Sequence, residues 1–258
     1  MKKLNVLFAV TIGLLNAKAD AGLMKVSYPL DQQGAKKETL FKDGVSFAQM
    51  EETARKNCPQ IPDILLTDAM LCPLTGIDTG SDAAYLPSTQ SIWASRTTAD
   101  RHSSKAFEWA MLHETGHAQM PYAVNSIHGA VVATNLATAY YWGAHKAKPY
   151  KNRVTKYGSK YLAMTAAGAI VNSTLMKIEE RRADNWANKT ADAQALQGGI
   201  EYFEASKIKQ QEEWSKYKLS SVVPFGVAKY LLDPIHPSLD SRIAKCKTVL
   251  KNRFSINA

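Results

Sequence analysis

His113-Glu114-Thr115-Gly116-His117 spells H-E-x-x-H inside a stretch, residues 104 to 120, whose composition favours a helix. At about 3.6 residues per turn, the two histidines fall one turn apart on the same face and can both reach one metal ion. Glu114 stands beside them, where it can take a proton from water held at that metal. Such a spacing points to metal-dependent hydrolysis of peptide bonds. The motif is short, however, and a helix without a metal can also carry it, with His113 hydrogen-bonded and Glu114 solvated. What separates the two readings is a third protein ligand that leaves a fourth position open for water.

Working outward, Ser103 and Ser104 offer an N-cap for the motif helix, Phe107, Ala110, Met111 and Leu112 give it apolar bulk, and Pro121 marks its exit. Upstream, Phe47, Met50 and Ala54 recur at helical spacing within 45–56, and Ile64-Leu65-Leu66 reads as a buried strand in 63–67. The stretch 73–90 is rich in Gly, Asp, Ser and Thr and reads as mostly loop, while 31–37 reads as a polar, disordered lead-in. Ser91, Ile92, Trp93 and Ala94 then form an expected edge strand just before the motif helix. Downstream, residues 118–144 contain no Lys, Arg, Asp or Glu, and 126–144 reads as a long helix. Further helices are expected over 157–188, 201–218, 222–232 and 239–251, with Pro234 and Pro237 separating the last two. The expected class is mainly α, in the α+β sense, with one small sheet beside the motif helix. Repeated strand–helix units are missing, which disfavours a doubly wound parallel sheet.

A chain of 258 residues with 45% hydrophobic content can bury one sizeable core. Lys2-Lys3, an apolar run over 7–15 and Ala17-Lys18-Ala19 follow the three-part order of a secretory signal peptide, so the reading is a signal over 1–19 and a single domain over 20–258. A first buried strand or a retained membrane anchor is the alternative. Removal of the signal takes the formal charge from +9 to +6, and the expected location is periplasmic or secreted, with membrane association open. In an oxidising compartment Cys58 and Cys72 can pair and leave Cys246 free; buried, inert thiols are the other reading. Lys146, Lys148, Lys151, Arg153, Lys156 and Lys160 crowd into one segment without an acid. That segment is a solvated loop or a peripheral contact with anionic lipid. No nucleic-acid-binding motif accompanies it, so nucleic acid is not an expected partner.

The obvious downstream candidates for the third ligand are the imidazoles of His128 and His145 and the carboxylates of Glu179, Glu180 and Asp184. His128 follows His117 by 11 residues but lacks a Gly-x-x-His element, and His145 stands at the mouth of the basic segment. Glu180 is the stronger candidate, because two histidines and a glutamate from a second helix make a familiar zinc set. Asp184 lies one turn further on the same face and can accept the outer N–H of a histidine ligand. Glu179 reads as half of a helix-surface pair with Arg182.

Taken together, H-E-x-x-H at 113–117, E-x-x-A-D at 180–184 and His236-Pro237-Ser238 followed by Arg242 resemble the HtpX-like and CAAX-prenyl-protease family of zinc peptidases, including its small exported bacterial members. The likeness covers about Ile61 to Ile243. It implies a zincin-like fold of the gluzincin type with one Zn²⁺ per chain, held by His113, His117 and Glu180 and supported by Asp184. It also implies that His236 and Arg242 come near the catalytic centre. On this reading Glu114 is the general base, His236 donates to the oxyanion, and Arg242 anchors its segment by pairing with Asp184 or a neighbouring carboxylate. The substrate is an unfolded, misfolded or membrane-associated protein, bound extended along Ser91 to Ala94. The family's Asn-Ala-Phe-type edge segment is absent from 67–73, which bears on substrate preference more than on zinc. Two other functions compete: a metal-binding chaperone or self-covered peptidase-like domain with little turnover, and a membrane-embedded protease using 118–144 and 161–176 as a hairpin.

Overall fold

The computed structural model describes residues 25–26, 32–68, 70–71, 82–86, 89–119, 173–215 and 236–254. In chain order they form β1 (Lys25–Val26), α1 (Gln32–Glu38), α2 (Phe47–Asn57), β2 (Asp63–Thr67), β3 (Met70–Leu71), β4 (Ala83–Leu86), β5 (Ser91–Ser95), α3 (Ser104–Ala118), α4 (173–190), α5 (Ala193–Ser215) and α6 (Leu239–Phe254). The described chain is thus mainly helical with a small sheet, the α+β organisation expected.

Everything is arranged around α3, the motif helix. It is buried at 11 of its 15 positions, which requires cover on several sides. Its N-terminus is fixed twice. Ser103 Oγ accepts the Ala106 amide at 3.2 Å, and Asp43 Oδ2 accepts both the amide and the hydroxyl of Ser104 at 2.9 and 2.7 Å. The carboxylate also lies at the positive end of the helix dipole. Phe41, Phe47 and Phe107 pack ring against ring at 5.4–5.8 Å and fasten α2 onto α3. The one acid buried inside α3 on this side, Glu108, is satisfied by Asn57 Nδ2 at 2.9 Å and Lys105 Nζ at 2.8 Å.

Three strands form the larger sheet in the order β2-β5-β4, parallel between β2 and β5 and antiparallel between β5 and β4, while β1 and β3 pair antiparallel in a separate two-stranded one. Ser91 to Ala94 therefore lie in the middle strand and not at the edge expected of them. The physical reason is burial on both faces. Ile92 and Ala94 enter the main core, and Trp93 closes a second small cluster with Leu65, Ala84 and Leu86. The edges of this sheet among the described strands are β2 and β4, and β4 lies inside the stretch read as loop. Its four residues, Ala-Ala-Tyr-Leu, are too few to stand out among Gly, Asp and Ser.

The polar lead-in is also more ordered than its composition implies. Within α1, Lys36 bonds Glu51 on α2 at 2.6 Å and Ala35 packs against the core. The expected helix over 45–56 appears as α2, and 239–251 as most of α6. The described part of 157–188 is helical, and α5 begins at Ala193, well before the expected 201. Asp192 interrupts α4 and α5 by capping the new helix, its Oδ1 accepting the Ala195 amide at 2.7 Å.

Cys58 and Cys246 are free, buried thiols, and Cys72 lies outside the described residues. Among the described residues, no helix is long and apolar enough to cross a membrane. The expected signal over 1–19, the helices over 126–144 and 222–232, the basic segment 146–160, and most of the proposed hairpin lie outside the described residues.

Candidate metal centre

Two helices bring the ligands together. α4 runs against α3 so closely that a Cβ on Gly116 would meet the Ala183 Cα at 2.8 Å. The glycine inside H-E-x-x-H and the alanine inside E-x-x-A-D are what let the two backbones touch. That approach carries Glu180 to the histidine face of α3.

There the His113 and His117 Nε2 atoms stand 3.1 Å apart. Glu180 Oε2 lies 3.3 Å from the first and Oε1 3.4 Å from the second. Donors about 2.0–2.1 Å from a tetrahedral zinc stand about 3.3–3.4 Å from one another, so these separations are those of ligands round a small ion. Glu180 Oε2 is buried and makes no hydrogen bond. A buried histidine, a half-buried one and a buried carboxylate of this kind can hold a metal ion.

The outer nitrogens explain why. His113 Nδ1 lies 2.9 Å from Asp184 Oδ1, and His117 Nδ1 lies 3.2 Å from Glu179 Oε1. The first contact is close but off the hydrogen-bonding direction. Carboxylates on both outer nitrogens favour the tautomers that keep their protons on Nδ1 and turn Nε2 lone pairs inward. Two lone pairs and a carboxylate then meet at one point, and a positive charge is needed among them. Without a metal it is a proton. Burial alone would push the His117 pKa down, but the charge of Glu180 and the hydrogen bonds to Glu179 and Glu180 outweigh it and lift it to about 10.

A pH dependence follows. Because that pKa is raised, the metal-free ring is protonated throughout the neutral range, and metal uptake must expel the proton. Affinity for a divalent metal ion should rise about tenfold per pH unit for each proton released, from neutral pH up to about 10, where the ring loses its proton unaided. Competition titrations at several pH values would check this; a flat affinity would remove the proton from the site.

Arg242 completes the support of His113. Its Nε and Nη2 grip the two oxygens of Asp184 at 2.8 and 2.6 Å, and its guanidinium lies 4.3 Å over the Phe203 ring. Of the partners foreseen for Arg242, Asp184 is the close one, and the neighbouring carboxylate of Glu180 lies 3.8 Å from its Nη2. His236 comes to the same place, its Nε2 3.6 Å from Glu180 Oε1. Burial would raise the Glu180 pKa, yet the nearby charges of His236 and His117 hold it well below the usual carboxylate range.

Glu114 takes a different part. Its Oε2 accepts the Tyr85 amide of edge strand β4 at 2.7 Å, and it lines a cavity of about 580 Å³ with His113, Glu180, His236 and Arg242. Across that cavity, Asp82 at the start of β4 accepts from the Tyr202 hydroxyl at 3.0 Å and pairs with Arg101 at 2.9 Å. Burial and the Asp82 charge push the Tyr202 pKa well above its ordinary value.

The structure therefore gathers His113, Glu114, His117, Glu180, Asp184, His236 and Arg242 in one place, and leaves Ser91 to Ala94 one strand removed from the role proposed for them. Sequence reasoning missed three things: the placement of Glu179 on His117, the Tyr85 amide on Glu114, and the Asp82–Tyr202 wall. Only the first had a signal, since Glu179 adjoins Glu180 on a helix already suspected of carrying a ligand. His128 and His145 lie outside the described residues. No protein-family model matches the chain, and neither a curated protein nor a solved structure matches it.

Proposed function

We propose that this chain is a zinc-dependent endopeptidase of the HtpX-like type, acting on unfolded polypeptide after export. The observation that carries the reading is the convergence of His113, His117 and Glu180 beside Glu114, with His113, Glu114 and Glu180 lining one cavity to which Ala83 of β4 also contributes. Bound zinc would supply Lewis acidity, polarising a carbonyl and making water a better nucleophile at neutral pH.

The remaining roles belong to the chain itself. Glu114 takes the water proton and passes it to the leaving amine. With Oε2 held by the Tyr85 amide, its Oε1 makes no hydrogen bond among the described residues and is the oxygen for that transfer. His236 donates to the developing oxyanion from the side of Glu180. Arg242 keeps Asp184 in place and reaches within 3.8 Å of Glu180, so it positions the ligands and leaves substrate to others. An extended peptide lies beside β4, the sheet edge that faces Glu114. Backbone pairing of that kind accepts varied side chains and suits unfolded substrates.

The test is hydrolysis of unfolded casein by the purified chain. Cleavage that stops with a chelator and returns with added zinc is the expected result. A zinc-loaded chain that leaves casein intact would favour the metal-binding, non-turnover alternative.

A further inference from the structure

We propose that Glu179 and Arg182 form a clamp that positions His117 for the metal, a counterpart to the Asp184–Arg242 pair behind His113. The inference rests on the metal reading above and extends it to two residues that the motif does not include.

On its sequence spacing alone, Glu179 with Arg182 is an ordinary helix-surface pair, worth a few tenths of a kcal/mol. The structure gives it different surroundings. Glu179 is buried to 8% exposure, although it belongs to a charged run. Its Oε1 faces His117 Nδ1 at 3.2 Å. Arg182 Nε holds Glu179 Oε2 at 2.8 Å, and Arg182 Nη2 bonds both Glu179 Oε1 and, at 2.8 Å, the Gly116 carbonyl. Gly116 immediately precedes His117. One guanidinium thus grips the carboxylate that orients the ring and the backbone from which the ring projects.

The arrangement parallels its neighbour in its histidine, carboxylate and arginine, and differs in that the His117–Glu179 contact is a hydrogen bond while the His113–Asp184 contact is off that direction. Each ligand histidine has a carboxylate on its outer nitrogen, and each carboxylate is held by an arginine through two nitrogens. The arginines come from different elements, α6 for Asp184 and α4 itself for Glu179. The Glu179 carboxylate thus sits between the Arg182 guanidinium and the His117 ring, within hydrogen-bonding distance of both. A charged acceptor on Nδ1 fixes the tautomer and strengthens the donor on the opposite nitrogen. Loss of such an outer partner typically costs about 10–100-fold in metal affinity.

The experiment measures zinc affinity of the purified chain by competition with a chromophoric chelator, for wild type, Glu179→Ala, Glu179→Gln and Arg182→Ala. Circular dichroism and thermal unfolding of the metal-free proteins are run alongside. Glu179→Ala is expected to lose about 10–100-fold in affinity with the helical signal intact. Glu179→Gln, which keeps an oxygen acceptor without the charge, should recover part of that loss, and Arg182→Ala should fall between wild type and Glu179→Ala. A merely structural role would lower thermal stability without this graded order in affinity. Affinity within twofold of wild type in both Glu179 variants would overturn the clamp while leaving the metal site standing. A wild-type chain that takes up no zinc would overturn the metal reading and the clamp together.

Discussion

Replacing Glu114 with Gln should abolish hydrolysis, by roughly 10²-fold or more, while zinc content stays at the wild-type level. Gln keeps the size of the side chain and an oxygen for the Tyr85 amide, so the contact between α3 and the sheet edge survives. What it cannot do is accept a proton. Glu114 is also absent from the group of atoms that converge on the metal position, which is made by His113, His117 and Glu180. The two measurements together are therefore diagnostic. Comparable turnover would take Glu114 out of the mechanism, and loss of zinc with activity would make it a ligand.

Replacing Glu180 with Ala should have the larger effect on the metal itself. It removes one of three protein ligands and leaves Arg242 and His236 with less negative charge between them. The loss in affinity should exceed the roughly 10–100-fold typical of an outer partner, and metal analysis should find the variant substantially empty. Zinc occupancy equal to wild type would exclude Glu180 and reopen the search for a third ligand.

Part of this site was legible because helices convert spacing into direction. His113 and His117 four residues apart, and Glu180 and Asp184 four residues apart, each had to share a face, and the uncharged run before Glu180 argued that its helix enters the interior. Packing did the rest through two small residues: Gly116 and Ala183 leave room for the helices to close, and no spacing rule predicts that contact. The same limit explains Glu179. Adjacent residues on a helix point about 100° apart, so only a structure shows that both Glu179 and Glu180 reach the histidines.

The sheet was less legible. Strand identity is local, and 63–67 and 91–96 were recognisable from apolar residues. Strand order is not local. Ser91–Ser95 is central because β4 pairs with it across a four-residue run hidden in a polar stretch. Under the proposed function, the substrate edge would accordingly move from Ser91, Ile92, Trp93 and Ala94 to Ala83–Leu86, whose Tyr85 amide touches Glu114. The helical α1 was missed for a similar reason, since Lys36 finds its partner on another element.

X-ray absorption at the zinc edge of the loaded chain reads directly whether two histidines and one carboxylate hold the ion. One zinc per chain is expected, with nitrogen and oxygen neighbours at about 2.0–2.1 Å, imidazole scattering from two histidines, and no sulfur. Sulfur at about 2.3 Å, or imidazole scattering too weak for two rings, would contradict that set of ligands.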